Sequence, residues 1–208
     1  MEFPKVTIIM RGYTYEQIKN VLQLLVDTDR TDVYGLEITL NSPNVFETLE
    51  KITKEFGDKC LIGAGTVLNL ADAKKSVQAG AKFILSPIKL TKEVLEYCKE
   101  NKIISVPAAM TPTEVFELHS NGADIIKVFP ARTVGAAFFN DIQAPLGKMK
   151  LMAVGGVSAS NTNQYLTSGA SYVGIGSGIF EHEDILAGNK KNMLNSIKYF
   201  EGQLQSAD

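Results

Sequence analysis

In DIIKVFPA, Asp124 to Ala131, one lysine interrupts a run of β-branched and aromatic residues that reads as a buried strand. In GLEITL, Gly35 to Leu40, one glutamate does the same. Side chains alternate faces along a strand, so Leu36, Ile38 and Leu40 share one face while Gly35, Glu37 and Thr39 share the other. The same parity separates Ile126 and Val128 from Ile125, Lys127 and Phe129. If the packing face is the aliphatic one, an ammonium and a carboxylate occupy one interior, where an uncompensated charge is expensive.

Two chemistries fit this pairing. In one, Glu37 and Lys127 form a structural ion pair. In the other, Lys127 is a Schiff-base nucleophile and Glu37 moves protons. An amine must be neutral to attack a carbonyl, and apolar neighbours such as Ile125 and Phe129 lower a lysine pKa from about 10.4 toward neutrality. An ionised Glu37 opposes that shift, so the two groups titrate as a coupled pair. Two other lysines compete for the role. Lys89 falls in a loop expected to be solvated, and Lys150 precedes its strand and so lies at the opposite end. Lys127 is the preferred nucleophile.

The elements that must position these groups alternate along the whole chain. Strands are expected near Val6–Met10, Val33–Leu40, Cys60–Ala64, Phe83–Leu85, Ile103–Val106, Ile125–Phe129, Leu151–Val154 and Tyr172–Ile175, each followed by an amphipathic helix candidate. Thr14 with Gln17, and Thr111-Pro112-Thr113-Glu114, carry capping-box signals; Ser42-Pro43 reads as a further cap with a first-turn proline. Gly80, Gly122 and Gly169 stand where helices end and a left-handed residue is needed. A last helix is expected over about Asn189–Gln205. Strand–helix units of this kind predict an α/β fold, a (β/α)8 TIM barrel, as a single domain over residues 1–208. An open doubly wound sheet is the alternative, but the turn after the first strand reads MRGYTYEQ and lacks the dinucleotide-binding glycines.

Such a barrel builds its site from the loops after its strands. Those positions read Arg11, Glu37 to Asn41, Gly63 to Thr66, Ser86-Pro87, Pro107 to Met110, Lys127 to Pro130, Gly155-Gly156 and Gly176-Ser177-Gly178. Glycine turns after the seventh and eighth strands can surround a phosphate with backbone N–H groups; a tight turn alone explains either one, and the two together favour phosphate binding.

Composition narrows the rest. The 208 residues are 45% hydrophobic and 21% charged with a formal net charge of −2, which gives no electrostatic reason to expect nucleic acid or an anionic membrane. His119 and His182 stand alone, without metal-ligand spacing, so neither a metal nor a cofactor is expected. Cys60 and Cys98 show no CxxC spacing, the N-terminal apolar run is broken at Arg11, and no stretch is long enough for a membrane helix, so a cytoplasmic setting is expected.

Taken in order, LEITLNSPN, IGAGTVL, AAMTPTE, IIKVFPA and AVGGVS resemble the motifs of the 2-keto-3-deoxy-6-phosphogluconate and 2-keto-3-deoxy-6-phosphogalactonate aldolases, class I pyruvate aldolases. The likeness runs over nearly the whole chain. It implies a homotrimeric barrel that cleaves a phosphorylated keto acid to pyruvate and glyceraldehyde 3-phosphate. By resemblance Lys127 forms the Schiff base and Glu37 is general acid and base. Thr66 and Arg11 match positions that hold the pyruvate carboxylate or line the pocket, and Gly155, Gly156, Gly176 and Ser177 match the phosphate loops. Pro107 and Phe129 complete the implied substrate wall.

Two departures stand out: Asn41 where the gluconate branch carries arginine, and Ala153-Val154-Gly155-Gly156 where it carries PTGG. Both look more like the galactonate branch. Ala108 stands where the family has a glycine, adding a methyl group to the pocket. Three alternatives stay open: 4-hydroxy-2-oxoglutarate aldolase activity, a phosphosugar epimerase or isomerase, and a sugar-phosphate-binding protein without turnover.

Overall fold

A computed structural model of the chain describes residues 2–205; residues 1 and 206–208 of the expected domain lie outside the described residues. Strands and helices alternate as β1 (Val6–Met10), α1 (Tyr15–Asp27), β2 (Tyr34–Thr39), α2 (Val45–Phe56), β3 (Ile62–Gly65), α3 (Leu70–Gln78), β4 (Phe83–Leu85) and α4 (Lys92–Glu100). There follow β5 (Ile104–Val106), β6 (Ala108–Ala109), α5 (Pro112–Ser120), β7 (Ile126–Val128), α6 (Ala131–Val134) and α7 (Ala137–Leu146). The chain continues through β8 (Leu151–Val154), α8 (Thr162–Thr167), β9 (Tyr172–Ile175), α9 (His182–Leu186) and α10 (Lys190–Gln205).

All strand pairs are parallel, in the order β5-β4-β3-β2-β1-β9-β8-β7-β6. The two ends of that order, β5 and β6, are halves of one stave. Its carbonyls accept from the far side of the barrel: Ser105 O from Ile125 N at 3.1 Å, Pro107 O from Lys127 N at 2.9 Å and Ala109 O from Phe129 N at 3.1 Å. On its other side Val106 O accepts from Ser86 N at 3.1 Å. The nine segments therefore close as a (β/α)8 barrel.

The sequence-based fifth strand, ending at Val106, is corrected: the stave continues to Ala109. Pro107 has no N–H to give and so breaks the donor ladder, yet its carbonyl still accepts from Lys127. The cap at Ser42-Pro43 is also corrected. The N-cap position of α2 falls instead on Asn44, in the left-handed region at φ 49°, with no capping hydrogen bond from its side chain. Ser42 Oγ accepts from Gly12 N at 2.8 Å and meets Thr39 Oγ1 at 3.2 Å, which ties it to the first two strand ends. The other caps form as expected. Gln17 Oε1 accepts from Thr14 N at 2.9 Å, Glu114 Oε2 accepts from Thr111 N at 2.9 Å, and Gly80, Gly122 and Gly169 have φ of 94°, 85° and 102°.

Strand parity creates two apolar layers. Leu36, Ile38, Ile126 and Val128 pack outward under the helices, while Phe3, Leu61, Phe83, Leu85, Val106, Ile125 and Met152 fill the barrel axis. Phe3 and Phe83 meet edge to face at 5.3 Å, and a Cβ at Gly63 would collide with the Phe83 ring. The lower barrel is thus a packed plug on which the upper, polar layer rests. Cys60 and Cys98 are buried thiols, pushed up to about 12 and about 11 by desolvation, which suits packing better than reactivity. Among the described residues, no helix is long and apolar enough to cross a membrane.

Candidate active site

A cavity of about 550 Å³ opens at the C-terminal ends of the strands, and Lys127 and Glu37 both line it. Lys127 is 4% exposed and Glu37 1%. The Lys127 Nζ stands 4.5 Å from the Phe129 ring centroid, an apolar face that attracts the cation only weakly compared with water. Desolvation pushes the Lys127 pKa down to about 8; the Glu37 charge opposes this and the Arg11 charge reinforces it. Desolvation likewise raises the Glu37 carboxyl above its ordinary range, against the charges of Lys127 and Arg11.

The two groups do not form a closed ion pair. Among the described residues no ammonium–carboxylate contact within 4.0 Å joins them, and Glu37 Oε2 has no hydrogen-bond partner. Both shifts run toward the uncharged forms, an amine and a carboxylic acid. With a pKa of about 8, roughly one lysine in ten is neutral at pH 7, against fewer than one in a thousand for an unperturbed side chain. Gly65 makes room for the acid: a Cβ there would fall on Glu37 Oε1.

Arg11, at the end of β1, also lines the cavity. Its guanidinium donates to Asn41 Oδ1 at 2.9 Å and to Thr66 Oγ1 at 3.4 Å. Asn41 and Thr66 lie outside the cavity lining and hold the arginine from behind. Thr66 does so from the left-handed region, φ 59°, where a β-branched residue is strained. Pro107 is also off the lining, behind Lys127, whereas Phe129 is on it.

A second part of the cavity wall is made of backbone. Gly155, Gly156, Gly176 and Ser177 all line it, with Gly155 and Gly156 at φ 93° and 84°. Among the described residues, the N–H groups of Gly156, Val157, Gly176 and Ser177 donate to no backbone carbonyl. Asn161 braces the first loop by accepting from Ser158 N at 2.9 Å and donating to Gly156 O at 2.8 Å. This wall can take an anion; the Lys127 wall can take a carbonyl.

Two polar lining residues escaped the sequence reading, Tyr13 and Arg132. Tyr13 continues the inward parity of Ile9 and Arg11, which could have revealed it. Arg132 lies two residues beyond Pro130, just past the span read as the end of the sixth predicted strand. A larger cleft of about 970 Å³ lies at the other end of the barrel, among Asp124, Lys150 and Ser171, residues that precede their strands. It contains no buried acid–base pair.

Known proteins resemble this chain in sequence and in fold. The family model described as "KDPG and KHG aldolase" matches residues 3–196. A Rhizobium meliloti protein named "Probable 2-dehydro-3-deoxy-6-phosphogalactonate aldolase" is 34% identical over 182 residues, 87% of this chain and 84% of that one. The 2-dehydro-3-deoxy-6-phosphogalactonate aldolase of Escherichia coli is 31% identical, over 83% of this chain and 82% of its own. A solved structure titled "Native KDPGal structure" superposes with a TM-score of 0.85 at 26% identity, covering 99% of this chain and 98% of that one. A Legionella pneumophila KDPG aldolase, described with pyruvate captured as a covalent carbinolamine, superposes at 0.81 and 26% identity, covering 99% and 95%. With a family match over nearly all of the barrel and its strand-end site, the chain belongs to the KDPG and KHG aldolase family.

Proposed function

We propose that this chain is a class I aldolase, a lyase that cleaves a 2-keto-3-deoxy-6-phospho sugar acid reversibly to pyruvate and glyceraldehyde 3-phosphate. One observation carries the reading: Lys127 lines a cavity while buried, free of any carboxylate contact, and lowered to about 8. The neutral amine attacks C2 of the keto acid to give a carbinolamine, which loses water to a protonated imine. A base takes the C4 hydroxyl proton, C3–C4 breaks, the aldehyde leaves, and the bond electrons pass into the imine as an enamine. Protonation at C3 and hydrolysis return pyruvate and the free lysine.

Glu37 is the group placed to exchange these protons, because burial raises its carboxyl toward the working range of a general acid and base. Arg11, held by Asn41 and Thr66, takes the substrate carboxylate, and the amides of Gly156, Gly176 and Ser177 take the phosphate. No metal or organic cofactor enters these steps.

The galactonate branch is favoured by Asn41 and Val154 and by the names of the two relatives at 34% and 31% identity. A homotrimer in the cytoplasm is the proposed setting, with the chain acting as a single domain. Ile88, Met110 and Phe116, 50%, 41% and 51% exposed around the β4 and β6 loops, offer apolar surface for such an assembly. Borohydride reduction with pyruvate, followed by peptide mass spectrometry, tests the chemistry. Reduced pyruvate is expected on Lys127; an unmodified chain, or label on Lys89 alone, would return the site to an epimerase, an isomerase or a silent binder.

A further inference from the structure

We propose that Arg132 is a phosphate-binding residue of this chain, a guanidinium added to the glycine loops that discriminates phosphorylated from unphosphorylated ligands. It lines the same cavity wall as Gly155, Gly156 and Ser177. Its backbone N–H donates to Gly155 O at 3.0 Å, which locks the segment after β7 to the loop after β8. Its side-chain stem lies over Gly156 so closely that a Cβ there would stand 2.7 Å from Arg132 Cβ and 2.8 Å from Cδ. Glycine at 156 therefore serves two ends: it permits φ 84° and it seats the arginine stem.

The guanidinium beyond that stem has no hydrogen-bond or ion-pair partner among the described residues. The cavity's other two cations are differently placed. Arg11 is already bonded to Asn41 and Thr66, and Lys127 is buried over Phe129. Of the two guanidiniums that line the cavity, Arg132 is thus the one left unpartnered for a ligand anion. A rigid fork of donors beside unclaimed amides matches the oxygens of a phosphate dianion better than amides alone. Neutral hydroxyls gain much less from the same fork, and this difference is the source of the selectivity.

The inference rests on the aldolase reading for where the phosphate lies, yet it is tested without turnover. Glycerol 3-phosphate and glycerol are titrated calorimetrically into the wild-type protein and into R132Q and R132K, with thermal unfolding as a check on the fold. Arg132 is exposed, and glutamine retains part of the stem. R132Q is expected to weaken glycerol 3-phosphate binding about tenfold or more, with glycerol binding negligible throughout and R132K intermediate. Equal affinity in R132Q and wild type, or no glycerol 3-phosphate binding by the wild type, would overturn it. Failure of wild-type Lys127 to trap pyruvate would instead strike the Schiff-base reading and leave Arg132 judged by the titration.

Discussion

The two walls of the cavity are built on opposite principles. On one, Lys127 and Glu37 are buried side chains whose charged forms lack support: no direct contact joins them and a carboxylate oxygen goes unbonded. On the other, backbone amides of glycine loops and an exposed arginine line the cavity, and the phosphate proposed for them stays charged throughout. Proton-transfer chemistry needs groups poised near their neutral forms, which desolvation supplies. Phosphate recognition needs fixed dipoles and full charges, which solvent access does not spoil. Each wall would fail at the other's task.

The largest expected break in this contrast is Glu37→Gln. The amide fills the space beside Gly65 but carries no transferable proton, so cleavage should slow by about a hundredfold to ten-thousandfold. Pyruvate trapping should persist in reduced form. Steady-state turnover alongside borohydride trapping measures both, and unchanged turnover would remove Glu37 from proton transfer.

A pH series comes next. Lys127 is protonated below its pKa of about 8, so the neutral, reactive fraction rises about tenfold per pH unit up to that point and then levels. The rate of pyruvate adduct formation should climb accordingly and flatten above about pH 8. Because the Glu37 charge holds the lysine pKa up, Glu37→Gln should move that midpoint to lower pH. A midpoint near that of an ordinary lysine would mean the site is wetter than its burial implies.

The smallest effect is expected on the other wall. Gly156→Ala introduces a side chain at φ 84° and 2.7 Å from Arg132 Cβ, displacing either the loop or the arginine. KM for the phosphorylated keto acid should rise about tenfold, while the pH midpoint for adduct formation stays near that of the wild type. A shifted midpoint would show that the walls are coupled.

The walls also differed in how far residue order exposed them. A lone charge inside an aliphatic strand is a local signal, and period-two parity placed both Lys127 and Glu37 on the barrel axis. Gly155 and Gly156 were visible as a turn. Arg132 was not, because its significance comes from a stem resting on a glycine 24 positions later. Ser42 misled for a related reason: beside a proline it imitates a helix cap, but Gly12 N, thirty residues earlier, claims its hydroxyl.

By itself, the sequence determined the alternation of strands and helices, the inward parity of Lys127 and Glu37, the caps at Thr14 and Thr111, and the left-handed helix ends at Gly80, Gly122 and Gly169. These depend on periods and preferences spanning a few residues. Only the tertiary structure decided that Lys127 and Glu37 stand apart, that Arg11 is held by Asn41 and Thr66, and that the fifth stave runs on through Pro107 to pair with β7. Those outcomes depend on barrel closure and on the rotamers of residues distant in the chain, where packing against non-local neighbours selects one arrangement from many that the local sequence permits.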